Sequence, residues 1–150
     1  MFFYSLALTV VILDQLFKYL VQRSMYLGQS IPLLNGLLKL TYVRNTGAAF
    51  SLFVGFSPYL AVVGVVVIAA VIYFHYRYRF YNSFLQTGLA LVLGGSLGNL
   101  FDRIFRSYVV DYIDLTIWPV FNFADIMINL GVILIALKLL TGGKNVSNSL

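Results

Sequence analysis

Apolar residues fill this chain in four long blocks, running roughly from Phe2 to Val21, Pro58 to Tyr76, Phe84 to Phe101 and Phe123 to Leu140. A helix needs about 20 mostly apolar residues to cross a hydrocarbon core, so the pattern predicts four membrane-spanning helices. The first block has the length of a secretory signal. It lacks a basic start, is interrupted by Asp14 and Lys18, and is followed by no small-x-small cleavage site, so it reads as a retained helix. Four spans place both termini on one side, together with "HYRYRFYN" (75–82) and Lys144. The cytoplasm is the expected side, although Arg23, Lys39, Arg44, Arg103 and Arg106 fall on the other and charge alone gives little support.

Two connections carry a different pattern. Within the long one after the first block (22–57), "LKLTYVRN" (38–45) alternates at the period of a strand. "NTGAAFS" (45–51) follows with turn-forming and small residues, so a small extramembrane sheet is expected there. The connection between the third and fourth blocks contains "VVDYIDLTIWPVFNFAD" (109–125), read as a loop that ends near Pro119 before the last helix. The segment 141–150 is a polar tail. No internal repeat or domain boundary interrupts the chain, and a single domain over 1–150 is expected.

Composition strengthens the membrane assignment: 61% of the residues are hydrophobic and 10% charged, where a soluble domain carries about 25% charged residues. The net charge of +5 comes from basic residues scattered singly, which suits lipid headgroups and not nucleic acid. Cysteine is absent, which removes disulfides, thiolate metal sites and a cysteine nucleophile. A single histidine, His75, and no glutamate leave almost nothing for a catalytic zinc site. Aspartate is then the acid or base available to an enzyme without an organic cofactor.

The polar residues inside the blocks are spaced in a regular way. An ionisable side chain at mid-membrane costs about 2.5–3.5 kcal/mol on insertion scales, so such groups pair or face a wet cavity. Asp14 and Lys18 stand at i,i+4 with the acid first, the favourable order for an ion pair; the pair either stabilises the bundle or tethers a loop or substrate. In "GGSLGNLFDR" (94–103) Gly95, Asn99 and Arg103 recur every four residues, with Asp102 three after Asn99. Gly94, Gly95 and Gly98 allow a neighbouring helix to approach closely. Asp102 and Arg103 also fit a simple interfacial anchor. In "FNFADIMIN" (121–129) Asn122, Asp125 and Asn129 share one helix face, with Asn122 as candidate N-cap and Asp125 in the first turn.

Two carboxyls close together share a proton, so the ionised member can take a proton from water while the neutral one polarises a peptide carbonyl. Asp102, Asp111, Asp114 and Asp125 can supply such a pair, and spacing alone does not choose among them. A proton-coupled transporter would distribute its acids through the membrane depth, whereas Asp102, Asp111 and Asp125 gather at one side. A purely structural subunit gives the asparagine stripes no purpose.

Together "DQLFK" (14–18), "RNTGAAFS" (44–51), "GGSLGNLFDR" (94–103), "VVDYID" (109–114) and "FNFAD" (121–125) resemble, in order and placement, the motifs of lipoprotein signal peptidase, the signal peptidase II family of bacterial membrane aspartyl proteases. The resemblance spans essentially the whole chain. It implies an all-α membrane protein of four transmembrane helices with a small extramembrane β-cradle after helix 1, and a catalytic pair near the outer face of the inner membrane. The family's catalytic positions fall on Asp111 and Asp125. Asn45, Gly95, Asn99, Asp102, Arg103, Asn122 and Ala124 match positions that line or support its site, and Asp14 and Lys18 match its first-helix polar pair. The implied reaction removes the signal peptide of a prolipoprotein just before a diacylglyceryl-modified cysteine, with membrane lipids as surroundings, no metal or other cofactor, and a monomeric enzyme. The loop between Asp111 and Asp125 is short for the family, and Tyr112 stands where phenylalanine is more usual.

Overall fold

The computed structural model describes residues 1–47, 57–78 and 83–142. The later part (48–51) of the turn expected over 45–51, the end of the 75–82 connection and the tail from 143 lie outside the described residues. Four helices, α1 (Phe2–Ser24), α2 (Ser57–Arg77), α3 (Ser83–Arg106) and α4 (Phe123–Gly142), are each long and apolar enough to cross a membrane. They coincide with the four blocks of the sequence, extended by up to five residues at their ends. Large apolar side chains such as Leu8, Ile12, Val62, Val66, Val132 and Leu137 are exposed on the outside of the bundle. That is the arrangement of a protein whose solvent is lipid.

The bundle is organised around α3, which packs against α1, α2 and α4 and buries most of its length. Its small residues divide between two neighbours. A Cβ on Gly94 would lie 2.7 Å from the Ala7 carbonyl oxygen of α1, and Gly98 sits directly against Asp14. On the α4 side, a Cβ on Gly88 would lie 2.9 Å from the Gly131 carbonyl oxygen, and one on Gly95 2.5 Å from that of Ala124. The glycines thus set backbone-to-backbone contact at two heights, because dispersion and hydrogen bonding, not water exclusion, hold helices together in lipid. Phe3, Ala7, Val71, Leu89, Ala90, Val92 and Leu93 form the apolar core at one end.

At the other end lies a three-stranded antiparallel sheet, β1 (Ser30–Leu33), β2 (Leu38–Asn45) and β3 (Val109–Asp114), in that spatial order. β2 matches the alternating segment of the sequence. β3 corrects the reading of 109–114 as loop. Val109, Val110, Tyr112 and Ile113 favour extended backbone, but burial runs through four consecutive residues, Val109 to Tyr112, so the strand shows no alternation. β3 is also the connection between α3 and α4, so the sheet ties the α1–α2 connection to the one that carries Asp111. Val21, Met25, Tyr42, Val110 and Tyr112 form a second core that seats the sheet on the end of α1.

Candidate active site

β3 brings Asp111 into position from both ends. On leaving α3, the chain turns through Ser107 at φ 65°, and the carboxylate of Asp102 accepts the Val110 peptide N–H at 3.1 Å. In the sheet Val43 stands opposite Asp111 and Asn45 opposite Val109. From there the Asn45 side-chain amide donates to Asp111 Oδ2 at 2.8 Å. Beyond β3 the short loop folds back, with the Phe121 carbonyl accepting the N–H groups of Tyr112 and Ile113 and the Phe121 N–H donating to Ile113. This return lays Asn122 beside the strand, and its Nδ2 donates to Asp111 Oδ1 at 2.6 Å.

Asn122 is also the cap of α4. Its Oδ1 accepts the Asp125 N–H at 3.0 Å, while Asp125 Oδ2 accepts the Asn122 N–H at 3.1 Å. The two residues form a reciprocal capping box that satisfies two backbone donors otherwise left open at a helix start. The hydroxyl that distinguishes Tyr112 from phenylalanine accepts the N–H of Phe123, the first residue of the helix, at 3.3 Å. From α3, Asn99 completes the connection. Its Nδ2 donates to Asp125 Oδ1 at 2.8 Å, and its Oδ1 accepts from Asn122 Nδ2 at 3.2 Å. Asp111 and Asp125 are therefore joined through two asparagine amides, and every oxygen of both carboxylates has a donor.

Behind this pair lies a buried ionic network. Lys18 Nζ is 2.7 Å from Asp14 Oδ2, 3.0 Å from Asp102 Oδ2 and 3.0 Å from Asn99 Oδ1, and Asp14, Lys18 and Asp102 are completely buried. Arg106 closes on Asp102 and on Gln15 Oε1, and Gln15 Nε2 donates to Asp14 and Asp102. Two acids and two bases make the group formally neutral, which is how such charge is tolerated at this depth. The outermost bonds reach the site: Asp14 Oδ1 accepts the Ala124 N–H at 3.1 Å, and Asp102 accepts that of Val110. Each buried acid thus holds the peptide group just before one of the joined aspartates.

Asp111 and Asp125 open together on a cavity of 720 Å³ that Asn45, Asn99 and Arg103 also line. Its other walls are largely apolar, Leu115, Trp118 and Phe121 above and Ile126, Ile128 and Ile133 of α4 along its depth. Burial of Asp111, and next the neighbouring charge of Asp125, push the Asp111 carboxyl up to about 7, while the amides of Asn45 and Asn122 act the other way. Asp114 behaves as an ordinary surface acid. Hydrogen bonds from Thr41 (2.7 Å) and the Thr116 N–H (2.7 Å) hold its carboxyl below the usual range, and it does not line the cavity.

Of the residues singled out in the sequence, the structure brings Asn45, Asn99, Arg103, Asp111 and Asp125 to one cavity, with Asn122, Ala124 and Gly95 packed directly behind them. Asp14, Lys18 and Asp102 form the layer beneath. Asp102 is completely buried, where an interfacial anchor would be exposed, and it turns to Lys18 and Arg106. The Arg103 guanidinium is left in the cavity, where among the described residues it reaches the Asn99 carbonyl at 3.5 Å. Gln15 and Arg106 were missed by the sequence reading. The i,i+4 spacing of Asp102 and Arg106 was a visible signal, and Gln15 lies inside the motif "DQLFK", where attention fell on Asp14 and Lys18.

The family described as "Signal peptidase (SPase) II" matches residues 6–141. The chain belongs to this family. The lipoprotein signal peptidase of Bacillus pumilus (strain SAFR-032) is 38% identical over 153 aligned residues, covering 99% of both chains. That of Moorella thermoacetica (strain ATCC 39073 / JCM 9320) is 46% identical over 141 residues, covering 92% of each. A bacterial membrane enzyme solved by the in meso method at 2.3 Å superimposes with a TM-score of 0.86 at 36% identity, over 97% of this chain and 89% of the other. Family and fold together make the chain a multi-pass bacterial membrane peptidase.

Proposed function

We propose that this peptidase removes the signal peptide of prolipoproteins by cutting before a diacylglyceryl-modified cysteine, with Asp111 and Asp125 acting together on one water molecule. The observation that carries the reading is the joining of these two carboxylates, through Asn99 and Asn122, at the wall of one cavity among membrane spans. The relatives' name, lipoprotein signal peptidase, supports the substrate.

The upward displacement of the Asp111 carboxyl favours Asp111 as the holder of the shared proton near neutral pH. In that state Asp111 donates a hydrogen bond to the scissile carbonyl while Asp125, ionised, accepts a proton from water as its oxygen attacks the carbonyl carbon. The tetrahedral intermediate collapses as a proton passes to the leaving nitrogen, giving a new carboxylate on the signal peptide and a free amine on the cysteine. Asn45, Asn99 and Asn122 keep the carboxylates oriented. The buried network of Asp14, Lys18 and Asp102 fixes the peptide groups ahead of them.

The sheet end, with the cavity, faces the outer side of the cytoplasmic membrane in this reading, and both termini face the cytoplasm. The chain works as a single domain and as a monomer surrounded by membrane lipid. The deciding experiment compares cleavage of a diacylglyceryl-modified prolipoprotein in lipid-like detergent by the parent chain, Asp111→Asn, Asp125→Asn and Asp114→Asn. Loss in the first two variants with retention in the third is the expected result, and full activity of either of the first two overturns the pair.

A further inference from the structure

Three of the asparagines near the cavity, Asn45, Asn99 and Asn122, are bonded to Asp111 or Asp125. The fourth, Asn129, is different. It lies within the span α4, lines the same cavity and is exposed. It has no hydrogen-bond partner among the described residues. An unmet amide at membrane depth is unfavourable, and leucine or isoleucine, abundant elsewhere on α4, would avoid that cost. Asp125, Asn129 and Ile133 recur every four residues and all line the cavity, so they form one wall that descends from the carboxylate pair into the membrane.

A peptide bond must leave the helix to be cut, and unwound backbone inside hydrocarbon loses its internal partners. A side-chain amide both donates and accepts, which matches the N–H and C=O of one extended residue. Four residues of helix rise about 6 Å, and an extended chain advances about 3.3 Å per residue. The stretch opposite Asn129 is therefore about two residues from the attacked bond, on the side that leads back into the membrane. We propose that Asn129 binds the main chain of the signal peptide there, holding the unwound segment in register with Asp111 and Asp125. This assignment rests on the signal-peptidase reading above and makes Asn129 a substrate-binding residue specific to the unwound backbone, indifferent to the substrate side chains.

The test uses the full chain in lipid-like detergent and a set of synthetic diacylglyceryl lipopeptides. In each, one of the four amides preceding the scissile bond is replaced by an ester, which removes the N–H and weakens the carbonyl. Kinetics are compared for the parent, Asn129→Leu and Asn129→Ser, with thermal unfolding of each recorded so that a variant that does not fold leaves the other to decide. The expected result is a loss of about tenfold in kcat/KM for the variants, the size of one hydrogen bond of about 1.4 kcal/mol. One ester position should cost the parent about the same factor and cost the variants nothing further. Parental kcat/KM in a folded variant overturns the assignment, as do ester losses equal in parent and variants at all four positions. Failure of the parent to cut the all-amide lipopeptide instead overturns the proposed function, and Asn129 falls with it.

Discussion

Asp14, in the middle of α1, accepts the peptide N–H of Ala124 at the start of α4, 3.1 Å away and 110 residues later in the chain. The bond ties the first span to the turn that carries Asp125, and the same carboxylate holds Lys18 through its other oxygen at 2.7 Å. Removing one member of a buried ionic group leaves its partners uncompensated, at about 3–5 kcal/mol. Asp14→Ala and Lys18→Met should each lower stability by about that much, measured as reversible unfolding in detergent. A loss below about 1 kcal/mol in both would show that the network is not holding the bundle.

Asn122 caps α4 through Oδ1 and, separably, donates to Asp111 and Asn99 through Nδ2. Serine is as good a cap as asparagine but lacks the donor reach. Asn122→Ser is expected to unfold close to the parent temperature while kcat falls about tenfold, the factor for one lost hydrogen bond of about 1.4 kcal/mol. Equal kcat would mean that Asp111 is oriented by Asn45 alone.

The raised Asp111 carboxyl gives a pH dependence with a definite sign. Asp111 holds its proton below about 7 and loses it above, so cleavage that requires the protonated form should decline as pH rises through about 7. Asn45 favours the ionised form through its 2.8 Å bond; Asn45→Leu should therefore move the alkaline decline to higher pH. The same shift bears on stability. Its folded value lies above the ordinary 3.8, so its contribution is fully present at low pH and is lost as pH rises through about 7. Asp111→Asn should flatten that part of a stability–pH curve.

Gly95 offers a steric test. An added methyl would meet Ala124 O at 2.5 Å and Ile128 Cγ1 at 2.7 Å, and backbone cannot swing aside as a side-chain tip can. Gly95→Ala should push the first turn of α4 away from Asn99 and reduce kcat by about 10²-fold, the cost of roughly 1 Å of misplacement. Gly64→Ala, whose Cβ would meet Leu100 no closer than 3.7 Å, is the comparison expected to retain activity.

Much of this arrangement was legible in the order of residues. The four spans follow from block length, β2 from its alternation, and the capping role of Asn122 from its place before an apolar run. The five family motifs placed Asp111 and Asp125, where spacing alone left four acids in contention. β3 was hidden because burial of both faces erases the alternation by which a strand is recognised. The partner of Asp102 was hidden for a related reason. Arg103 is its neighbour in sequence, but successive helical residues point about 100° apart, so Arg106 on the next turn and Lys18 on another helix reach it instead. Gln15 stood inside the "DQLFK" motif, but its bonds to Asp14, Asp102 and Arg106 emerge only in three dimensions.

The buried tetrad also says something about how the molecule is made. Synthesis delivers Asp14 and Lys18 long before Asp102, Arg106 or the Ala124 N–H exist, so the newborn first helix has no partner on which to discharge its ions. The i,i+4 order lets the helix carry its own counter-ion into the bilayer. When the third helix arrives, Lys18 gains Asp102 and Asn99 while keeping Asp14. The pair is thus a travelling plug that becomes a socket, and in the finished molecule the first turn of the last helix is held on it through the Ala124 N–H.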